Sequence, residues 1–116
     1  MRLDEDRLLD ILEAIEAIER YTVDGKGEFD RNELVRVWCL RHIEIVGEAA
    51  AKISPEAQAK AADIPWKKIV GMRNALVHAY FDVDWNEVWN VVAKDLQPLR
   101  LAVKRLLATF DAGKTT

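Results

Sequence analysis

The last third of the chain carries a continuous seam of apolar residues, which constrains the fold more than any other feature of the sequence. Its members recur at alternating steps of four and three residues: Trp85, Trp89, Val92, Leu96, Leu99, Val103, Leu106 and Phe110. Such spacing is typical of a helix that packs lengthwise against other helices. Asp84 and Glu87 resemble a capping box and predict where this helix begins. Pro98 lacks the N–H that would bond to Lys94, so we expect a kink there.

Two earlier segments also have helical periodicity. In the first, over residues 4–21, the apolar stripe consists of Leu8, Ile11, Leu12, Ile15 and Ile18. The second, over residues 30–53 with Asp30 as N-cap, is apolar around much of its circumference, which predicts burial by its own bundle and by a second subunit. Gly47 in its interior costs about 1 kcal/mol relative to alanine, which indicates close approach of another backbone. Between the two segments, TVDGKGEFD predicts a break.

The region between the second and the last helix predicts a short helix and a third main one. Ser54 and Pro55 suit the N-cap and the first position of the short helix. Pro65 begins the third main helix. No segment alternates with period two for long, so the predicted fold class is all-α, a bundle of four main helices plus a short helix. We assign residues 1–110 to one helical domain and residues 111–116 to a flexible tail.

Composition narrows the class of protein. The chain has 116 residues, half of them apolar, which suits one globular domain. Its one cysteine, Cys39, lies in an apolar run, and we expect a buried thiol. No apolar run reaches the roughly 18 residues of a membrane span, and the N-terminus is too acidic for a signal or transit peptide. We therefore expect a cytoplasmic protein that does not contact the membrane.

Charge is distributed unevenly along the chain. Residues 1–33 carry 11 acidic and 5 basic residues, a net charge of −6, whereas residues 34–116 carry 9 acidic and 12 basic residues, a net charge of +3. The weakly basic part is compatible with contact to a phosphate backbone but does not require it.

Polar side chains cluster in the stretch GMRNALVHAYFDVD, residues 71–84, within the predicted third helix. On a helix, Asn74 and His78 are four apart and share a face, and Arg73 and Tyr80 are seven apart and also share one. Arg73 is long enough to swing towards His78. The four side chains can therefore line one rim near the helix C-terminus, where the helix dipole favours a protonated histidine.

These residue types suit metal-independent cleavage of RNA, in which the neighbouring 2′-hydroxyl attacks the phosphate. The reaction needs an acid or base that titrates near neutral pH, which His78 supplies, and a cation for the phosphorane, which Arg73 supplies. Asn74 can orient either group. One chain offers one such histidine, so a two-fold dimer would supply two. The arginine–histidine spacing alone is weak evidence, and a surface or core role for both residues stays open.

Other titratable residues have competing interpretations. His42 lies on a largely apolar helix and is expected to be structural. Glu44 and Glu48 are four apart on that helix and could orient a catalytic arginine. Alternatively, they simply pair with Arg41 and Lys52. No cluster of acids and histidines has metal-ligand spacing and no glycine-rich phosphate loop is present, so we expect neither a metal nor another cofactor.

Longer stretches, HIEIVGEAAAKIS and IPWKKIVGMRNALVHAYFDVD, resemble the HepT family of HEPN-domain toxins. The resemblance covers nearly the whole chain, about residues 4–110. It includes the Arg-x4-His-x-Tyr motif as Arg73, His78 and Tyr80, with Asn74 directly after the arginine, as is usual in HEPN domains.

The resemblance implies a helical bundle that dimerises through its motif-bearing face, where the motifs of two subunits meet in a cleft. It also implies metal-independent RNA cleavage by the toxin of a toxin–antitoxin pair. The implied partner is a minimal nucleotidyltransferase of the MntA type, which silences the toxin by transferring AMP to the motif tyrosine, here Tyr80. The added phosphodiester would compete with the substrate phosphate for Arg73. The net charge of −3 departs mildly from what an RNA-binding surface suggests.

Two other functions stay open on the sequence. The chain could be a non-catalytic HEPN dimer that acts as a binding module for a nucleotidyltransferase or a nucleotide, as its acidic first helix suggests. It could also be a helical scaffold without a site, in which case Arg73, Asn74 and His78 would tolerate alanine.

Overall fold

The computed structural model describes residues 3–78 and 82–114, with side chains for all of these except residue 78 and residues 111–114. The elements in chain order are α1 (Asp4–Arg20), α2 (Gly25–Arg31), α3 (Glu33–Ala51), α4 (Pro55–Ala59), α5 (Trp66–Val70), α6 (Met72–Leu76), β1 (Val77–His78), β2 (Asp82–Val83), α7 (Trp85–Asn90), a π-helical turn (Val91–Asp95) and α8 (Leu96–Lys114). The fold is an all-α bundle, as predicted, and the two short strands form the one sheet within the described ranges.

Packing centres on α1 and α3, with α8 against α1 and with α5 and α6 against α3. The largest fully buried side chains come from α1, α2, α3, α7 and α8: Leu8, Ile11, Ile15, Ile18, Phe29, Cys39, Ile43, Val46, Val88, Leu96 and Val103. Burial of each such side chain contributes about 1.5–3 kcal/mol, so the predicted apolar stripes are what hold the bundle together. Arg100 on α8 adds a polar tie, since its Nη1 donates to both carboxylate oxygens of Glu19 on α1 at 3.0 and 2.8 Å.

The predicted starts of α4 and of the last helical region are confirmed. Ser54 Oγ accepts a hydrogen bond from the Ala57 N–H at 3.2 Å, and the Asp84 carboxylate accepts one from the Glu87 N–H at 3.1 Å. Ser54 also donates through its N–H and its hydroxyl to the two carboxylate oxygens of Asp4, at 2.8 and 2.6 Å. These bonds fix the beginning of α1 against the beginning of α4.

The break predicted at TVDGKGEFD is confirmed, since α1 ends at Arg20 and residues 21–24 form turns, but residues 25–31 form a further short helix, α2, that was not predicted. Gly25 has φ +82° and begins the helix in a conformation that side chains disfavour. Phe29 is buried, with its ring 5.1 Å from that of Trp89 and 6.5 Å from that of Trp85. Packing of this one aromatic residue outweighs the low helix propensity of the two glycines.

The start predicted for the second main helix is displaced by two residues. Asn32, not Asp30, is the N-cap of α3, and its side-chain oxygen accepts hydrogen bonds from the Leu34 and Val35 N–H groups at 3.1 and 3.3 Å. Asp30 instead lies within α2 and pairs with Lys26 at 2.8 Å.

The last helical region is interrupted where the proline predicts it. Residues 91–95 form a π-helical turn, in which the Leu96 N–H donates to the Val91 carbonyl. Pro98 follows in the first turn of α8 and has no N–H to donate to the Lys94 carbonyl. A regular α-helix would therefore lose this hydrogen bond, and the π-helical turn lies at the same place. Helical structure then continues to Lys114, beyond the predicted domain end at residue 110. None of the helices in the described part of the chain combines the length and apolarity needed to cross a bilayer.

The third main helix is shorter and more broken than predicted. It is divided at Gly71 into α5 and α6, and it ends at Leu76. The chain then forms a hairpin in which Val77 pairs with Val83 and His78 with Asp82. The Leu76 carbonyl accepts a hydrogen bond from the Asp84 N–H at 2.8 Å. This carbonyl therefore bonds across the base of the hairpin and not within a further turn of helix. Helices of five residues have little stability of their own, and the β-branched valines suit a strand.

Candidate functional site

Gly47 on α3 lets the polypeptide that carries the motif arginine approach closely. A Cβ atom at this position would lie 3.3 Å from the Ile69 carbonyl oxygen and 3.5 Å from that of Val70. The close approach predicted for Gly47 is therefore present, and it brings the end of α5 onto α3. Because α6 follows directly, with Met72 and Leu76 buried, the intervening residues are turned outwards beside α3.

Arg73 lies on this outward side and is held by a carboxylate of α3. Its Nε is 3.2 Å from Glu44 Oε1, and the other oxygen of Glu44 is 3.5 Å from Arg41 Nη1. Arg41 also lies 3.7 Å from Glu48. The Glu44 side chain is 21% exposed, whereas those of Arg73 and Arg41 are 54% and 58% exposed. A partly buried carboxylate thus lies beneath two accessible cations.

The two glutamates differ in their contacts. Glu44 touches Arg73, which fits an orienting role, and it also touches Arg41. Glu48 touches Arg41 alone among the described ion pairs, and within that part of the chain Lys52 pairs with neither glutamate. Sequence spacing could not separate these cases, because the α3–α6 contact is set by Gly47 and not by helix periodicity.

Asn74 and His78 do not share a helix face, so that part of the predicted geometry is wrong. Asn74 is exposed within α6, whereas His78 lies beyond the helix end in β1, opposite Asp82. The helix-dipole argument for a protonated His78 also loses its basis, since α6 has only five residues. The side chain of His78 and the whole of Tyr80 lie outside the described parts of the structure, so the predicted Arg73–Tyr80 face lies there too.

His42 has the contacts of a structural residue. Its Nδ1 is 2.8 Å from the Trp38 carbonyl oxygen, so Nδ1 carries the proton because a carbonyl can only accept. The His42 ring packs on the Trp38 ring with 4.2 Å between centroids. Trp38 in turn donates its indole N–H to the Ala17 carbonyl at 2.8 Å. This chain of contacts joins α3 to α1.

More than half of the Arg73 side chain is exposed to solvent. A cleft of about 360 Å³ lies between α5 and α8, and it is lined by Met72 but not by Arg73. No three histidine, cysteine, aspartate or glutamate side chains within the described ranges are grouped as metal ligands. The described site therefore consists of an exposed arginine pair, a shared carboxylate and the adjoining hairpin.

The family model described as "Ribonuclease HepT-like" matches residues 11–106, which is most of the chain. The chain belongs to this family. HepT-like similarity thus extends from α1 to α8 and includes Glu44, Arg73 and His78.

Two relatives match along nearly their whole length. "Putative RNase MJ1380" of Methanocaldococcus jannaschii is 36% identical over 98 residues, covering 84% of this chain and 90% of the relative. "Probable ribonuclease HepT" of Thermococcus cleftensis is 36% identical over 106 residues, covering 90% of this chain and 96% of the relative.

A third relative is longer. "Gamma-glutamylcyclotransferase and putative RNase MJ0434" of M. jannaschii is 37% identical over 105 residues, and this chain covers 47% of its length. No solved structure is significantly similar to this HepT-like chain.

Proposed function

We propose that this HepT-like chain is a metal-independent RNA endonuclease and the toxin of a HepT/MntA-type toxin–antitoxin pair. The observation that carries the proposal is the contact between Glu44 and Arg73 in a chain that belongs to a ribonuclease family. Arg73 is the motif arginine and lies five residues before the motif histidine, His78. A toxin that cleaves cellular RNA would act in the cytoplasm.

Arg73 stabilises the phosphorane in this mechanism. The 2′-hydroxyl next to the scissile phosphate attacks phosphorus, and negative charge grows on the non-bridging oxygens. A guanidinium offers these oxygens planar, charge-assisted hydrogen bonds. Glu44 orients the guanidinium from beneath, which lowers the cost of ordering a long side chain when substrate binds.

His78 is the acid or base, and Asn74 orients the substrate or the arginine. Removing the 2′-hydroxyl proton and protonating the leaving 5′-oxygen are separate tasks, and imidazole titrates near neutral pH. One chain supplies one motif histidine. A two-fold dimer would supply two, one for each task.

The homodimer would form through the face of α3 beside the motif. Leu34 and Val37 are 81% and 50% exposed, although they belong to the apolar set that predicts burial by a second subunit. Both lie on α3, the helix that also carries Arg41 and Glu44, and Val37 is four residues before Arg41. A second copy on this apolar strip would enclose the open surface around Arg73 and exclude water from the reacting phosphate.

Tyr80 is the proposed point of control. An MntA-type nucleotidyltransferase would transfer AMP to its hydroxyl, which places a phosphodiester where substrate phosphate binds. The tyrosine oxygen would displace pyrophosphate from ATP, so incubation of the protein with the partner and ATP should raise the intact mass by one adenylyl group (AMP less one water), and Tyr80→Phe should abolish the increase. An unchanged mass with a partner of demonstrated activity would contradict this step.

RNA cleavage in the presence of EDTA tests the central proposal. Wild type should cleave, while His78→Ala and Arg73→Ala should lose at least about a hundredfold in rate, the usual contribution of an acid–base group or a charge-stabilising donor. Arg105→Ala is the matched control, because Arg105 is also an exposed arginine in an ion pair, with Asp63 at 2.7 Å. Equal cleavage by wild type and His78→Ala would reject the assignment, and absent cleavage would favour a non-catalytic binding module.

A further inference from the structure

We propose that Arg41 is a second phosphate-binding residue of this site, which contacts the RNA phosphate adjacent to the scissile one. The inference rests on the proposed ribonuclease function and deepens it. It is carried by the carboxylate of Glu44, which touches both Arg41 and Arg73.

The geometry makes the two arginines a joined pair. Each oxygen of Glu44 faces a different guanidinium, with Arg73 Nε at 3.2 Å and Arg41 Nη1 at 3.5 Å. Because both guanidinium groups contact the same carboxylate, they must lie close to each other. An RNA backbone that brings its scissile phosphate to Arg73 therefore passes Arg41 as well.

Exposure decides which groups an arriving anion meets. The carboxylate of Glu44 lies under the two cations and is 21% exposed, whereas more than half of each arginine side chain faces solvent. A phosphate approaching from solvent thus encounters the guanidinium groups before the carboxylate, which limits repulsion between the two anions.

Arg41 is held loosely enough to exchange its partner. Its contacts with Glu44 and Glu48 are 3.5 and 3.7 Å long, beyond the roughly 2.7–2.9 Å of charge-assisted hydrogen bonds. Exposed pairs of this kind contribute little to stability. A bidentate contact with phosphate is stronger, so Arg41 can turn to substrate at little cost.

The position of Arg41 along α3 also suits this role. Val37 is four residues before it and Glu44 three residues after it, so Arg41 lies between the exposed apolar strip and Arg73. In the proposed homodimer it would line the edge of the cleft, where the RNA strand enters. Phosphate contacts at such a position strengthen binding without touching the reacting atoms.

Kinetics and salt dependence of Arg41→Ala test the proposal, with Arg41→Lys and Arg105→Ala beside it. We expect KM for single-stranded RNA to rise about tenfold, which corresponds to about 1.4 kcal/mol, with kcat within twofold of wild type. Binding of an RNA with a 2′-deoxy cleavage site should lose about 0.7 from the slope of log affinity against log salt. Arg41→Lys should restore the slope, and Arg105→Ala should match wild type.

Three results would overturn the role of Arg41. The first is an unchanged KM and salt slope in Arg41→Ala, which makes the residue a surface ion pair only. The second is dissociation of the dimer, measured by sedimentation, which makes it an interface residue. The third is a loss of kcat as large as that of Arg73→Ala. If wild type binds RNA without cleaving it, the proposed catalysis fails separately, and a reduced slope would still support the Arg41 contact.

Discussion

At the scale of single residues, Glu44 connects two elements that are distant in sequence. It lies on α3 and contacts Arg73 on α6 and Arg41 one turn before it. Because Glu44 is mostly shielded from solvent, its contact with Arg73 is screened less than an ordinary surface pair. The orientation of Arg73 therefore depends on this carboxylate.

Replacing Glu44 by alanine should separate catalysis from binding. We expect kcat for RNA cleavage to fall about tenfold, equivalent to about 1.4 kcal/mol, because Arg73 loses its orienting partner. RNA affinity should not weaken, since an anion near the phosphates is removed. Single-turnover rates and binding measurements check both parts.

Glu48→Ala is the matched control for this change, because Glu48 is on the same helix but contacts Arg41 and not Arg73 in the described ion pairs. Its kcat should stay near that of wild type. Equal loss of kcat in the two variants would show that general surface charge, not the Glu44–Arg73 contact, is responsible.

The prediction that Cys39 is a buried thiol is confirmed. Its side chain is fully buried within α3, and this burial raises the pKa of the thiol from 9.0 to about 11. The thiolate is the reactive form, so the folded protein should react slowly with thiol reagents at neutral pH.

The raised pKa of Cys39 predicts how stability depends on pH. Above pH 9 the unfolded chain releases the thiol proton while the folded protein keeps it until about pH 11. The free energy of unfolding should therefore fall between these values, by at most about 1.4 kcal/mol per pH unit. Denaturant titrations of wild type and Cys39→Ala measure it, and the difference between them should shrink as pH rises. Parallel pH profiles would contradict the assignment.

At the scale of elements, the contact between α3 and α5 places the motif. Gly47 allows the carbonyl groups at the end of α5 to approach α3, and α6 continues from there with Arg73 above Glu44. A side chain at position 47 would push these helices apart, since the atoms it meets are backbone and cannot rotate away.

Gly47→Val should destabilise the fold by about 1–3 kcal/mol through overpacking, although valine has the higher helix propensity. Ala51→Val is the control, because Ala51 is exposed at the end of the same helix, and it should change stability by less than about 1 kcal/mol. Thermal and denaturant unfolding report the difference. Equal effects of the two substitutions would mean that the close approach at Gly47 is not a constraint.

The hairpin between α6 and α7 shows why helix periodicity misled at the motif. Positions 65–78 have apolar spacing that suits one helix, but the structure ends α6 at Leu76 and pairs Val77 with Val83. The pairing partner comes from beyond the segment, so no window within the helix could reveal it. The start of α7 was predictable, because Asp84 caps it through a local contact.

At the scale of the whole molecule, one chain leaves the described part of its candidate site on open surface. Arg73 and Arg41 face solvent, and the exposed Leu34 and Val37 lie on the same helix as Arg41. Homodimerisation would cover the apolar strip and bring two motifs together, which is why assembly and activity should change in parallel.

Val37→Lys should weaken the proposed homodimer by at least about tenfold. In an isologous interface the substitution occurs twice, and it replaces apolar contact with like charge. Sedimentation equilibrium measures the dissociation constant, and RNA cleavage should fall with the dimer fraction. Leu101→Lys is the control, because Leu101 is 54% exposed on α8, much as Val37 is 50% exposed on α3. Unchanged assembly in Val37→Lys would place the interface elsewhere.

The sequence by itself determined the helical fold class, most of the core and the identity of the candidate residues. These follow from local rules: apolar spacing for α1 and α8, side-chain caps at Ser54 and Asp84, and the motif that includes Arg73. Each of these rules involves residues within about two helical turns of each other, so the features can be recognised from one amino-acid sequence.

Only the tertiary structure decided how the site is arranged. It showed that Phe29 makes a helix of a glycine-rich segment, that His78 belongs to a strand, and that Glu44 holds Arg73 and Arg41 together. These contacts join residues from separate elements. Their energies come from packing and strand pairing that exist only after the chain has folded, so the helix or strand propensity of the local sequence does not predict these contacts.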